Sequence, residues 1–239
     1  MDAIVLAAGD GGRLRPLTLD TPKPLLMLHG RPIIEYVLTA LTAAGVRRAM
    51  IVCGYEAAQI RAWSQRARIR GLAIDVVENM AFRGGNATSL WAARSHVDAP
   101  FMLAMGDHIF DPEIAVRLVA GADRHCRLAV DCALPGDPRA HEATLALVEE
   151  GRVAALGKGL ARWNALDTGL FWCTARVFES MTPALRRGQV GAVFAALAQA
   201  GELDAVDVTG LRWLDIDTPD DLRAAEVWPF PLESDGHVA

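Results

Sequence analysis

The sequence predicts an α/β protein, a mostly parallel sheet covered by helices on both faces. Short apolar runs alternate with amphipathic segments along the first half of the chain, the pattern of successive βαβ units. The run over 101–105 is apolar throughout, as a central strand covered on both sides must be. With 239 residues, 52% of them hydrophobic and 22% charged, the chain can bury a sizeable core as one large domain.

The first strand is expected over 3–6. Pro32 then opens a helix to 44, with Ile33, Ile34, Val37, Leu38 and Leu41 on one stripe and Gly45 as its stop. Strands are expected over 49–53 and 73–77, and helices over 56–66 and 88–95. The central strand at 101–105 precedes a helix that starts at Asp111-Pro112 and ends near 120. The pattern then turns strand-rich, over 128–133, 143–148 and 153–156, with Glu149-Glu150-Gly151-Arg152 as a hairpin turn. A strand over 167–173, helices near 175–181 and over 190–200, a strand over 211–216 and a capped helix over 219–226 complete the order. Neither a repeat nor a linker interrupts it. One domain over 1–228 is expected, followed by a loose polar tail over 229–239.

Composition narrows the function classes. A net charge of −5 and a pI near 5.7 offer no surface for nucleic acid or an anionic membrane. The cysteines, Cys53, Cys126, Cys132 and Cys173, form no C-x-x-C pair and no zinc spacing, so they read as free thiols in a reducing compartment. The opening apolar run lacks a basic leader and ends at a glycine turn, which suits a buried strand better than a signal peptide. No run approaches the roughly 18 apolar residues of a membrane span. A cytoplasmic protein without membrane insertion is expected.

The first strand leads into Gly9-Asp10-Gly11-Gly12-Arg13-Leu14-Arg15-Pro16, and Thr21-Pro22-Lys23-Pro24-Leu25 follows. A glycine-rich turn lets backbone N–H groups converge on an anion without a Cβ in the way. Arg13 and Lys23 supply the cationic charge that a triphosphate requires. Two other phosphate loops are excluded: Leu14 stands where the dinucleotide fingerprint needs its third glycine, and no G-K-[ST] follows. The alternative is a merely tight βα turn with ordinary surface cations.

The apolar strand ends in Gly106-Asp107-His108, and Trp213-Leu214-Asp215-Ile216-Asp217-Thr218-Pro219 lies near the other end of the chain. A carboxylate at the carboxyl end of a central strand faces the crevice where α/β enzymes bind ligands. Alternation puts Asp215 and Asp217 on one face of a strand. Separated carboxylates plus phosphate oxygens are what Mg²⁺ prefers. Asp107 as a turn or capping residue and Asp217 as part of a helix cap stay open as alternatives. His108 fits a supporting role better than ligation, because magnesium disfavours imidazole.

These motifs resemble the sugar-phosphate nucleotidyltransferases, whose signature L-A-A-G-x-G-x-R-[LM]-x-P-L-T followed by P-K-P-L is matched by Leu6-Ala7-Ala8-Gly9 through Thr18 and by Pro22 through Leu25. The resemblance implies a Rossmann-like three-layer sandwich, with a mostly parallel central sheet and a small antiparallel extension on the acceptor side. It implies that Leu6, Ala7, Ala8, Gly9, Gly11 and Gly12 hold the nucleotide, that Arg13 and Lys23 neutralise its phosphates, and that Asp107 shares a Mg²⁺ ion with Asp217 or Asp215. Asp10 departs from the pattern and is tolerated beside a triphosphate only if it points outward.

Further segments are similar to the inositol-1-phosphate cytidylyltransferases: Val77-Glu78-Asn79, Gly85-Asn86, Met105 through Pro112, Trp163 through Gly169, and Asp215 through Pro219. By that likeness Glu78, Gly85, Asn86 and Ser89 help to hold the nucleotide, and Lys158 grips the acceptor's phosphate. His108, Asp167, Thr168 and Gly169 line the acceptor pocket. The implied reaction joins CTP, as the favoured nucleotide, to a small phosphorylated alcohol with release of pyrophosphate. Arg83-Gly84 replaces a more usual acidic–basic pair, so base preference stays open. An acceptor such as choline phosphate stays open too, because Trp91, Trp163 and Trp172 could contribute to an aromatic cage. A membrane-embedded domain that often follows in such proteins is expected to be separate or absent, and a homodimer stays open.

Overall fold

The computed structural model describes residues 1–122, 124–133 and 136–228; the expected tail over 229–239 lies outside them. The first half contains β1 (Asp2–Ala7), a small ribbon of β2 (Met27–Leu28) and β3 (Arg31–Pro32), α1 (Ile33–Ala43), β4 (Arg48–Cys53), α2 (Ala57–Arg66), β5 (Ala73–Glu78), α3 (Ala87–Ala93), β6 (Phe101–Met105), β7 (His108–Phe110) and α4 (Pro112–Val119). The second half contains β8 (Cys126–Cys132), β9 (Leu145–Glu149), β10 (Arg152–Gly157), β11 (Ala165–Cys173), α5 (Arg176–Glu179), α6 (Val190–Gln199), β12 (Leu203–Asp207), β13 (Trp213–Asp215) and α7 (Pro219–Glu226).

Nine strands form one sheet in the order β5-β4-β1-β6-β11-β8-β12-β10-β9. Strands β5, β4, β1 and β6 run parallel. Strand β11 then reverses against both β6 and β8. The far end curls until β9 meets the start of β11, through Ala165↔Ala146 and Leu166↔Leu145. An extension was expected here, small and antiparallel; the observed one takes five of the nine strands, closes on itself and is mixed, because β12 pairs with β8 in parallel.

Alternation along β1 builds three layers. Ala3, Val5 and Ala7 pack with Ile34, Val37, Leu38 and Leu41 of α1 and with Ile114 and Leu118 of α4. Ile4 and Leu6 face the other way, toward Leu90 of α3 and Phe194 of α6. Phe171 and Phe194 stack there with centroids 3.8 Å apart. Each fully buried side chain of this size contributes roughly 1.5–3 kcal/mol. The sheet is thus clamped from both sides, and its strand ends become a rigid edge for loops.

Several expectations are corrected. β12 lies between β8 and β10 where no strand was expected; its Leu-Asp-Ala-Val-Asp sequence has only three apolar residues, yet Leu203 is fully buried. β7 follows the Gly106-Asp107 turn at once and pairs with β13 as a separate two-stranded ribbon. The strand expected over 211–216 is only Trp213–Asp215, and the helix near 175–181 is only Arg176–Glu179. The hairpin at 149–152 is as expected: Glu150 and Gly151 take φ 49° and 77°, the paired left-handed geometry that suits right-twisted strands. No helix among the described residues is long and apolar enough to cross a membrane.

Candidate active site

The strands of the parallel half end level with one another, since Leu6 is paired with Met105, Ala7 with Cys53, and Cys53 with Glu78. The loops that follow them therefore emerge along one edge, the ligand crevice of an α/β sheet. Gly106 makes the turn after β6. Its N–H donates to the Leu6 carbonyl at 2.9 Å, and a Cβ there would stand 3.0 Å from that oxygen. Asp107 is delivered to the crevice directly behind it, and its carbonyl accepts from Ile216 N at 3.1 Å.

Lys23 lies at the centre. Its side chain is 6% exposed, and Nζ lies 2.6 Å from Asp107 Oδ2 and 3.6 Å from Asp215 Oδ1. Nζ also pairs with Asp217 Oδ1, while Arg13 takes Asp217 Oδ2. Burial works against the lysine's charge, but Asp107, Asp215 and Asp217 outweigh it and hold the ammonium well above its ordinary pKa. Burial likewise opposes ionisation of Asp217, and Lys23 with Arg13 brings its pKa below the usual carboxylate range. All three expected carboxylates thus meet one cation.

Asp217 is not on the strand that was expected to carry it. Thr218 is the N-cap of α7 and forms a capping box with Asp221. Asp217 N donates to Asp221 Oδ2 at 3.1 Å. The capping work falls to Thr218 and Asp221, which leaves the Asp217 carboxylate for Lys23 and Arg13.

His108 is opposite Asp215 in the β7–β13 pairing, so the two side chains are neighbours. Its Nε2 is 3.3 Å from Asp215 Oδ2 and 3.8 Å from Asp107 Oδ1. Its Nδ1 is 3.0 Å from the Thr168 carbonyl and donates to it. Burial opposes protonation, yet Asp215, Asp107 and that carbonyl push the imidazole up to about 10. Gly169, at φ 76°, leaves the space the ring needs, since a Cβ there would collide with the imidazole. Strand β11 slips register between Asp167 and Phe171 to make this turn. Asp167 accepts from Gly169 N at 2.7 Å, and burial pushes its carboxyl up to about 6, against the pull of the Gly169 amide and His108. Thr168 is buried and donates to the Ala129 carbonyl at 2.9 Å.

Asp107, His108 and Asp215 offer ligand atoms that all lie within 4.8 Å of one another. Asp215 Oδ1 is buried without a hydrogen-bond partner among the described residues, with Lys23 Nζ standing off at 3.6 Å, so it keeps acceptor capacity that a divalent ion would use. Carboxylate oxygens are the donors a hard divalent ion takes. His108 faces Asp215 through Nε2 at 3.3 Å, and a hard ion such as magnesium takes the carboxylates in preference to an imidazole.

Along the first glycine turn, expected to hold the nucleotide, Leu6, Ala7 and Ala8 are buried and Gly9 is exposed. Gly11, at φ 59°, fits tightly: a Cβ would come within 3.0 Å of both Thr18 and Lys23. Thr18, fully buried, donates to the Gly11 carbonyl at 2.8 Å. Tyr55 ties the same region together, N to the Ala8 carbonyl at 3.0 Å and OH to the Thr18 carbonyl at 3.0 Å. The sequence reading missed both clamps, although Thr18 stood inside the quoted signature. Exposed Asp10 accepts from Gly12 N at 3.3 Å and lies 3.4 Å from Arg15.

The second glycine turn is a seam of the fold. Gly85 has φ 98°, and a Cβ there would collide with the Gly188 carbonyl. Asn86 Oδ1 accepts from Val190 N, the first residue of α6, at 2.7 Å. Ser89 is 1% exposed and its hydroxyl accepts from buried Asn79 at 3.0 Å. Asn86 and Ser89 thus shape the wall, with these polar atoms already engaged inside the protein. Glu78, at the end of β5, pairs with Arg61. Lys158 is exposed on the turn after β10, and among the described residues no carboxylate holds it. The three tryptophans considered for a cage pack in three different apolar clusters, Trp91 near α3, Trp172 among the sheet residues and Trp163 beside Leu145. They do not form one cage.

A glycine turn, two cations and a carboxylate cluster on one crevice define an enzyme that handles a nucleoside triphosphate. The chain belongs to the MobA-like NTP transferase domain family, whose model matches residues 3–198. It is 38% identical over 229 residues to a bifunctional IPC transferase and DIPP synthase of Rubrobacter xylanophilus, a match covering 94% of this chain and 51% of that protein. A protein described in the same words from Aquifex aeolicus is 31% identical, with 94% and 50% covered. The chain therefore spans about half the length of these curated relatives. Among solved structures, the inositol-1-phosphate CTP transferase from T. maritima superposes with a TM-score of 0.82 at 29% identity, over 94% of this chain and 93% of that one. The family read from the sequence motifs is the family these comparisons return.

Proposed function

We propose that the chain transfers CMP from CTP to 1L-myo-inositol-1-phosphate, giving CDP-inositol and pyrophosphate in the cytoplasm. The observation that carries this reading is the convergence of Asp107, Asp215 and Asp217 on buried Lys23, beside Arg13 and the glycine turn. The relatives named above and the four free thiols support it further.

The acceptor's phosphate oxygen is already anionic at neutral pH, so no general base is required. It attacks the α-phosphorus in line; the new P–O bond forms as the bond to the β-phosphate bridging oxygen breaks, and that oxygen leaves on pyrophosphate. The barrier is one of positioning and of charge repulsion. Arg13 and Lys23 take charge on the leaving pyrophosphate, and Lys158 orients the attacking phosphate. Loop residues Gly9, Gly11 and Gly12 offer backbone amides to the triphosphate, and Glu78 and the Gly85-Asn86-Ser89 seam wall the nucleoside. His108, Asp167, Thr168 and Gly169 form the acceptor side. Asp107, Asp217 and Asp215 fit Mg²⁺, which when bound reduces the repulsion between two polyanions.

A pyrophosphate-release assay with each of four NTPs against a panel of phosphorylated alcohols tests the reading. CTP with inositol-1-phosphate is the expected best pair. Faster turnover with UTP and a sugar-1-phosphate, or with CTP and choline phosphate or an aminophosphonate, would move the chain to that activity. No turnover with any pair would make it a nucleotide-binding module.

A further inference from the structure

Asp131 is a buried carboxylate that the mechanism above does not use. It lies on β8 opposite Leu166, the residue before Asp167, and is 6% exposed. Its Oδ2 accepts from Trp213 Nε1 at 3.0 Å and from Arg139 Nη1 at 2.6 Å. Arg139 also binds Asp137 through Nη2 at 2.7 Å and Nε at 3.1 Å, and its guanidinium carbon lies 5.7 Å from the centre of the Trp213 ring. A buried carboxylate with a guanidinium and an indole N–H is a satisfied set, and removing one partner leaves the others costly.

Placement gives the set its meaning. Trp213 and Asp215 alternate on β13, so their side chains leave the strand on the same face. β13 is three residues long and pairs only with β7, outside the nine-stranded sheet. A lone two-stranded ribbon is marginal by itself. The indole of Trp213 packs against two apolar clusters at once, and its N–H reaches the main sheet at Asp131. The bond therefore ties the ribbon that carries Asp215 and His108 to the rigid sheet two residues from the carboxylate.

We propose that Asp131 is a positioning residue for the metal-binding carboxylate: through Trp213 it fixes β13, and with it Asp215, relative to Asp107 in the turn after β6. The inference rests on the assignment of the Asp107, Asp215 and Asp217 cluster to a divalent ion. Arg139 is the cation that partners buried Asp131, and it is shared with Asp137. Groups hydrogen-bonded directly to a metal ligand alter affinity or activity by about 10–100-fold when lost; Asp131 acts further back, through Trp213 and the β13 backbone, so the low end of that range is expected.

The test is Mn²⁺ binding by the CTP-bound protein, read from the free-ion paramagnetic signal, with CTP affinity and melting temperature alongside. Trp213→Phe keeps an aromatic ring and removes the donor together with the five-membered ring, and the melting temperature reports the packing part of the change. This variant is expected to weaken Mn²⁺ about tenfold and to lower kcat, with the CTP Kd unchanged. Asp131→Asn, which keeps an oxygen for the indole, is expected to bind Mn²⁺ more tightly than Asp131→Ala. Wild-type Mn²⁺ affinity in Trp213→Phe, or equal affinity in the two Asp131 variants, overturns the inference alone. No Mn²⁺ binding by the wild type overturns the metal assignment and this inference together.

Discussion

The two halves of the sheet solve the same problem differently. In the parallel half, β1 pairs with β4 and β4 with β5 over six consecutive residues each, without a slip. In the curled half, β11 and β10 both break register, and β11 is shared among β6, β8 and β9. An unbroken parallel ladder sets strand ends level, so short loops after β1 and β6 meet without further design. The curled half has no such edge, and it needs the slip at 167–171 to turn Thr168 and Gly169 toward His108. The side proposed for the nucleotide is thus made by ladder geometry and the side proposed for the acceptor by local irregularity.

The sharpest way to break this contrast is at the join. Asp107→Asn keeps the shape of the Gly106 turn and removes one charge from the cluster. We expect kcat to fall on the order of 10²-fold or more, with the melting temperature little changed; turnover within a factor of two at saturating Mg²⁺ would separate Asp107 from the chemistry.

Gly169→Ala tests whether the acceptor side depends on its irregularity. The added Cβ meets the His108 ring, and the backbone there is left-handed. Overpacking and strain of this kind cost about 1–3 kcal/mol, measurable as a lower denaturation midpoint. The larger expected symptom is a rise in the acceptor KM, because His108 must move. An unchanged midpoint and KM would show that the bulge is dispensable.

Lys158→Ala addresses the acceptor phosphate alone. A hydrogen bond to a charged group contributes about 1.5–3 kcal/mol, so the acceptor KM is expected to rise roughly tenfold or more while the CTP KM stays put. Equal effects on both substrates would reassign the lysine.

Asn86→Ala probes the nucleotide wall and carries the smallest expected effect. Loss of the acceptor for the first amide of α6 should lower stability by about 1 kcal/mol, read by chemical denaturation, with a modest rise in CTP KM. A stability loss with no change in CTP KM would make the seam purely structural.

The same contrast decides what was legible in the sequence. Arg13 and Asp107 follow glycine turns at the ends of apolar strands, and Lys23 stands in a short Pro-Lys-Pro motif, so local sequence made them candidates and the resemblance gave them roles. The strand expected over 211–216 is shorter, Trp213–Asp215, because its extent is set by pairing with β7 a hundred residues away. β12 went unseen because Asp204 and Asp207 interrupt its apolar pattern. Asn86 and Ser89 were expected to help hold the nucleotide; the structure adds that Val190 N of α6 and Asn79 engage them, and nothing local in the sequence signals such contacts. Thr168-Gly169 was recognisable only by resemblance, since the reason for the glycine is the imidazole of His108.

The central claim is that nucleotide and acceptor meet over the carboxylates around Lys23. A crystal structure with CTP and Mg²⁺ tests it most directly. The account predicts the triphosphate on the turn at 9–13, with Arg13 and Lys23 on its oxygens and the ion shared between Asp107 and Asp217 or Asp215. A triphosphate bound away from both that turn and the Gly106-Asp107 strand end would contradict it.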